Sequence, residues 1–143
     1  SILDEKNGPP PEINLFNEKN NGETLLQLIQ NGYIKSAHDV SLGGIITAIS
    51  KMCIKGNKGI ELNIAKTSLS EIEYLFSEDQ GRYIIEINTS NLDNVTKILE
   101  KNSVHYDQIG KIIDKHMIIN KKTKVTIDEL KSYNMNWLNE YMN

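Results

Sequence analysis

The chain has 143 residues, of which 38% are hydrophobic and 24% charged, so it is long enough to bury one core. Its net charge of −3 offers no basic surface for nucleic acid, and its single cysteine excludes an internal disulfide or a multi-cysteine zinc site. No apolar run approaches the roughly 18 residues of a membrane span, and no signal peptide is recognisable, so we expect a cytoplasmic protein without a membrane partner.

The first 20 residues are polar and contain all three prolines, at positions 9–11. A proline run favours an extended conformation. We therefore predict that residues 1–20 are a linker or arm and that residues 21–143 form the domain.

The next part of the chain alternates helical and strand patterns. Apolar residues at helical spacing predict one helix that stops at Gly32 and a second that runs from the Gly43–Gly44 pair to about Gly56. Residues 33–38 and 59–64 have the strand pattern. Helices and strands are thus interleaved in the first half of the domain.

The second half begins with Ser68 and Glu71, whose spacing predicts a capping box at the start of a third helix. The β-prone residues 82–87 predict a central strand, and an amphipathic helix follows. Three short strand patterns then lie so close together that they predict a hairpin meander, before a closing helix; they are residues 107–113, 116–119 and 124–127. This order predicts an α+β fold, a mixed sheet with helices packed on it.

The segment SAHDVSLGG, residues 36–44, lies at the junction between a predicted strand and a predicted helix. Asp39 or Ser41 could cap the helix, and the two glycines would serve a tight turn. The same features also suit a phosphate, since a helix N-terminus carries free N–H groups and partial positive charge. His38 has no nearby nucleophile to activate as a general base.

The segment SEDQGR, residues 77–82, contains the only arginine of the chain. Arg82 could hold a phosphate through two hydrogen bonds, and Glu78 and Asp79 could bind magnesium. Alternatively the segment is a polar turn whose arginine pairs with its own acids. No histidine and carboxylate spacing typical of a zinc site occurs, and we predict no metal ligand in this chain.

Four segments in this order resemble one family: PPPEINLFNE, IQNGYIKSAHDVSLGGI, LFSEDQGRYIIEI and VHYDQIGKI. The chain resembles the C-terminal domain of phosphoribosylformylglycinamidine synthases, in the AIR synthase superfamily. The resemblance implies an AIR synthase C-terminal-domain fold with a partial ferredoxin-like layout. It also implies that residues 1–20 connect to a preceding domain of a longer chain.

The family resemblance implies an ATP-dependent amidation in purine biosynthesis, in which glutamine-derived ammonia converts formylglycinamide ribonucleotide to formylglycinamidine ribonucleotide. The full-length enzyme would use ATP and Mg²⁺, with neither bound tightly by this domain alone. The implied partners are the other domains, a glutaminase subunit or domain, and the phosphorylated ribonucleotide. The isolated domain is expected to be inactive, because the family's catalytic residues lie elsewhere.

The resemblance also implies which residues face a ligand. The turn residues Glu78, Asp79, Gln80, Gly81 and Arg82 would face the substrate or nucleotide. The supporting residues would be His38, Asp39, Ser41, Gly43 and Gly44. The family usually has an aspartate before the glycine pair, where this chain has Leu42.

Two alternatives remain open at this stage. The chain could be a stand-alone module that binds a phosphorylated nucleotide through Arg82 and the turn before Ile45. It could also be a domain of another kinase or ligase of the AIR synthase superfamily, whose members carry looser versions of the same motifs.

Overall fold

The computed structural model describes residues 13–64 and 69–142. Its helices and strands confirm an α+β architecture. In chain order they are α1 (Leu15–Gln30), β1 (Ile34–Asp39), α2 (Gly44–Gly56), β2 (Gly59–Leu62), α3 (Glu71–Phe76), β3 (Tyr83–Ile87), α4 (Leu92–Lys101), β4 (Gly110–Ile113), β5 (His116–Ile119), β6 (Thr123–Thr126) and α5 (Ile127–Met142). Within the described ranges, no helix is both long and apolar enough to cross a membrane.

Strands β1 and β3 form a two-stranded antiparallel sheet, in which Asp39 pairs with Tyr83 and Ala37 with Ile85. Because the two strands run in opposite directions, the end of β1 lies beside the start of β3. Among the described strands β3 pairs only with β1, so the prediction that residues 82–87 form a central strand is wrong. β-propensity reports how side chains fit a half-buried pleated surface, not how many neighbours a strand has.

The other four strands form a mixed sheet in the order β4-β2-β5-β6. The predicted meander is therefore wrong at its first connection, because β2 lies between β4 and β5. The two-residue link between those strands passes over the start of β2, where the Gly59 amide donates to the Asp114 carbonyl at 3.2 Å. A side chain at Gly59 would overlap the His116 backbone. Because Gly59 has no side chain, the short link between β4 and β5 can pass over β2. The length of that link alone is typical of a hairpin, which is why the sequence predicted one.

Two hydrophobic cores flank the two-stranded sheet. Ile85 and Ile87 pack against a core of α1 and α4 residues, and Ile84 packs against a larger core. The larger core joins α2 to the four-stranded sheet and α5; its buried members are Val40, Ile45, Ile49, Cys53, Ile60, Leu62, Met117 and Ile127. The small sheet is thus held from both faces, which fixes the position of its ends.

Two element boundaries differ from those predicted. Helix α1 begins at Leu15 with Asn14 as its cap, so residues 15–20 of the predicted linker are helical. The rest of that segment, up to residue 12, lies outside the described residues. The capping box of α3 is formed by Ser70 and Glu73, two positions later than predicted, and Ser68 also lies outside the described residues.

Candidate functional site

The segments SAHDVSLGG (residues 36–44) and SEDQGR (residues 77–82) border one open cavity of about 330 Å³ at the end of β1 and the start of β3. The antiparallel pairing of these strands is what places residues 39–42 beside residues 78–83. The cavity is lined by Asp39, Val40, Ser41, Leu42, Glu78, Gln80, Gly81, Arg82 and Tyr83. Six of the predicted site residues are therefore brought together, whereas His38, Gly43, Gly44 and Asp79 lie outside the lining.

The Arg82 side chain holds the turn that precedes β3. Its Nη2 donates to the Ser77 carbonyl at 2.6 Å and to the Ser77 hydroxyl at 3.0 Å, and it lies 3.2 Å from Asp79 Oδ2. The side chain is 29% exposed. This geometry favours the polar turn in which the arginine pairs with its own acid. The predicted grip of Arg82 on a phosphate stays a prediction.

Helix α2 begins at a glycine pair in the left-handed region, with φ of +84° at Gly43 and +69° at Gly44. Gly43 is the N-cap, so the prediction of Asp39 or Ser41 as the cap is wrong. The backbone explains the difference, because the Gly44 amide donates to the Ser41 carbonyl at 2.9 Å and delays the first helical turn. The side chain of Leu42 is exposed and makes no polar contribution to this terminus.

The carboxylate of Glu78 reaches that same terminus. Glu78 Oε1 accepts a hydrogen bond from the Gly43 amide at 2.7 Å. The second carboxylate, Asp79, faces Arg82 instead. Because the two acids have different partners, they do not fit a shared Mg²⁺. In the part of the chain that is described, no three His, Cys, Asp or Glu residues are grouped as metal ligands.

Helix α1 supports the turn from its other side. The Asn21 amide group donates to the Gly81 carbonyl at 3.0 Å, and Gly81 has a φ of +70°. A side chain at Gly81 would stand 3.0 Å from Glu18 Cγ. Asn21 is a site residue that the sequence did not reveal, because it lies 60 positions from its partner with no local signal.

Three residues of the lining carry a polar side-chain group with no partner in the described part of the chain. Among the described residues, no hydrogen-bond partner is seen for the Gln80 carboxamide, the Ser41 hydroxyl or the Tyr83 hydroxyl. The sequence did not mark Tyr83 as a site residue, although its place directly after Arg82 could have indicated it; the structure pairs it with Asp39. An amide and two hydroxyls can exchange neutral hydrogen bonds with a polar ligand.

Two titratable groups outside the cavity lining, His38 and Cys53, show little reactivity. His38 Nδ1 lies 2.6 Å from the Asp39 carbonyl and 3.4 Å from the Asp39 carboxylate, so the histidine contacts its neighbour rather than a nucleophile. Burial raises the pKa of the Cys53 thiol to about 11, with a smaller contribution from Glu86. The reactive thiolate is therefore scarce at neutral pH. The cavity is suited to binding more than to covalent chemistry.

Residues 2–121 match the family described as AIR synthase related protein, C-terminal domain, and the chain belongs to this family. Among curated relatives, the phosphoribosylformylglycinamidine synthase subunit PurL of Pelagibacter ubique (strain HTCC1062) is 64% identical over 141 residues. That match covers 99% of this chain and 19% of the relative. The chain thus spans about a fifth of the length of the curated relatives it matches. The resemblance noted from the motifs is confirmed.

Solved structures show the same fold. T. maritima PurL complexed with FGAR superposes with a TM-score of 0.73 at 23% identity, over 82% of this chain and 21% of that one. T. maritima PurL complexed with ATP superposes with a TM-score of 0.69 at 21% identity, over 78% of this chain and 21% of that one. The α+β fold predicted from the sequence is therefore shared with domains of that protein.

Proposed function

We propose that this chain is the C-terminal domain of the synthetase subunit of a phosphoribosylformylglycinamidine synthase. The observation that carries the proposal is its 64% identity, over nearly the whole chain, to the PurL subunit of Pelagibacter ubique. The cavity supports it, because two of the four segments that carried the resemblance meet there. In this proposal the segment before α1 connects the domain to the preceding part of the polypeptide, and the domain itself begins with α1 at Leu15.

The full-length protein would carry out the ATP-dependent amidation of formylglycinamide ribonucleotide in the cytoplasm. It would draw ammonia from a glutaminase subunit or domain and use ATP with Mg²⁺. Similar structures complexed with FGAR and with ATP support the choice of substrate and nucleotide. This domain alone would be inactive, because among the described residues no base is hydrogen-bonded to the Ser41 hydroxyl in its cavity and no group of metal ligands occurs.

The role proposed for the cavity is to form one wall of the substrate cleft. Gln80 would contact the ligand directly, together with the Ser41 hydroxyl, because the side chains of these two lining residues have no partner among the described residues. Glu78, Asp79, Gly81 and Arg82 would shape the turn that presents Gln80. The side chains that bear the turn's charges already contact protein groups.

The alternative of a stand-alone phosphate-binding module has weaker support. Such a module needs free cationic or N–H donors at the cavity. Arg82 contacts Ser77 and Asp79, and the Gly43 amide contacts Glu78. Nη2 of Arg82 and the Gly43 amide, two of the donors that the alternative could use, are therefore already engaged within the protein.

The proposal is tested by Gln80→Ala in the full-length protein. Loss of a neutral hydrogen bond to the substrate should lower kcat/KM for formylglycinamide ribonucleotide about two- to tenfold. The measurement is the rate of formylglycinamidine ribonucleotide formation with ATP, Mg²⁺ and ammonia. Gln30→Ala is the matched control, since Gln30 is exposed at the end of α1 and away from the cavity lining.

Full-length protein that forms no product under these conditions would contradict the proposed activity. Wild-type kinetics in the Gln80→Ala protein would instead contradict only the role of the cavity. The two outcomes separate the identity of the enzyme from the place of this domain in its cleft.

A further inference from the structure

We infer that Glu78 is a positioning residue: its carboxylate caps α2 from a distant segment and locks the two cavity walls together. The expected effect of Glu78 on kcat/KM rests on the proposed function. The hydrogen bond between Glu78 and Gly43 does not depend on any reaction. It assigns Glu78 a role different from that of the ligand-facing acid that the family resemblance suggested.

The first step is that α2 lacks a cap of its own. Its N-cap is a glycine with no side-chain hydrogen bond, and its first turn contains no acidic residue. A helix N-terminus carries unpaired N–H groups and partial positive charge, which a nearby carboxylate stabilises. Leu42, the residue before the cap, has an exposed apolar side chain. The Gly44 amide donates to the Ser41 carbonyl, which leaves the amide of the N-cap residue Gly43 to find an acceptor from another segment.

The second step is that Glu78 meets this requirement across 35 residues of chain. Its Oε1 lies 2.7 Å from the Gly43 nitrogen, a short distance typical of a charge-assisted hydrogen bond. The contact connects the turn before β3 to the loop after β1. These are the two segments whose residues line the cavity.

The backbone of the turn at residues 77–82, which contains Glu78, is held by hydrogen bonds other than the cap. Arg82 holds the Ser77 carbonyl, and Asn21 of α1 donates to the Gly81 carbonyl. Close packing also fixes the other partner, since a side chain at Gly44 would stand 2.6 Å from the Leu75 carbonyl oxygen. Glu78 thus spans a short gap between two supported segments, and its carboxylate sets their separation.

The experiment measures amide hydrogen exchange in the full-length protein without substrate. Glu78→Ala should speed the exchange of residues 43–47 about tenfold, because a charge-assisted hydrogen bond to the Gly43 amide, directly before the first turn, is lost. Glu78→Gln should give a smaller increase, about two- to threefold, since its amide oxygen can still accept from Gly43. Glu23→Ala is the control; that exposed α1 acid pairs with Lys19 and should leave α2 exchange unchanged.

Kinetics of the same variants connect the cap to the cleft. Glu78→Ala should lower kcat/KM for the ribonucleotide, and Glu78→Gln should restore most of it in parallel with the slower exchange. A residue that bound ligand or metal through its charge would show the reverse: Glu78→Gln would be as impaired as Glu78→Ala, with α2 exchange unchanged in both.

The outcomes distinguish the two proposals. Unchanged exchange at residues 43–47 in Glu78→Ala would overturn the positioning role, whatever the activity. Faster exchange with wild-type kinetics would support the cap and count against this cavity as part of the substrate cleft. Faster exchange and lowered kcat/KM in Glu78→Ala, with most of the kcat/KM restored in Glu78→Gln, would support both the cap and the place of this cavity in the substrate cleft.

Discussion

Gly44, the first residue of α2, occupies a position that no larger residue fits without strain. Gly44 combines a φ of +69° with close contact to the end of α3, where a side chain would stand 2.6 Å from the Leu75 carbonyl oxygen. Gly56, at the other end of the same helix, has neither constraint, since a side chain there would meet open space. The two glycines therefore separate the effect of backbone strain from that of helix propensity.

We predict that Gly44→Ala destabilises α2 by more than about 1 kcal/mol, because alanine is strained at positive φ and its methyl group would overlap the α3 backbone. Gly56→Ala should be neutral or stabilising by up to about 1 kcal/mol, since alanine favours the helix. Hydrogen exchange of the α2 amides gives both values as free energies of opening. Equal effects of the two substitutions would contradict the packing of α2 against α3.

The residue scale is also where the sequence was least informative. The strand-to-helix turn at residues 39–44 could be predicted from its glycine pair, but its cap could not, because Glu78 is distant in sequence. Asn21 was hidden for the same reason. Local patterns report contacts within a few positions, whereas these two hydrogen bonds depend on how strands and helices pack.

At the scale of elements, α3 and α5 begin with the same reciprocal cap. Glu129 Oε2 accepts from the backbone amide of Thr126 at 2.7 Å and from its hydroxyl at 2.7 Å, while the Glu129 amide donates back at 3.1 Å. These hydrogen bonds from Thr126 lower the pKa of Glu129 below its usual 4.5. The start of α5 is therefore linked to the ionisation of one exposed carboxylate.

We predict that the first turn of α5 loses protection on acidification. A folded-state pKa below 4.5 means that the stabilisation is fully present above pH 4.5 and is lost as the pH falls through the lowered value. Protection factors of residues 127–130, measured by hydrogen exchange between neutral pH and pH 3, check this. Glu129→Gln should abolish the pH dependence, whereas Asp128→Asn should retain it. An unchanged acid response in Glu129→Gln would refute the link.

Element types followed from the sequence more readily than their pairing. Apolar spacing predicted α1, α2 and α5, and alternation predicted β1 and β2, because those periods reflect which face is buried. The order of β4, β2 and β5 depends on the absence of a side chain at Gly59. Gly59 lets the link between β4 and β5 pass over β2, and nothing in the two-residue spacing indicates the crossing.

At the scale of the whole molecule, the antiparallel pairing of β1 and β3 creates the cavity. Two cores on opposite faces of this small sheet hold its ends, and α1 and the N-cap residue of α2 each contribute one hydrogen bond to the turn at residues 77–82. The packed sheet and these two hydrogen bonds therefore support the polar groups of the cavity from several elements. This arrangement is suited to forming one wall of a cleft completed by the rest of a longer protein.

The most direct test of this account is hydrogen exchange of the full-length protein with and without formylglycinamide ribonucleotide. We predict that residues 39–44 and 77–83 become protected together, while residues 110–113 of β4, outside the cavity lining, do not change. Protection of β4 alone, or no change in either cavity segment at saturating ligand, would contradict the assignment of this cavity to the substrate cleft.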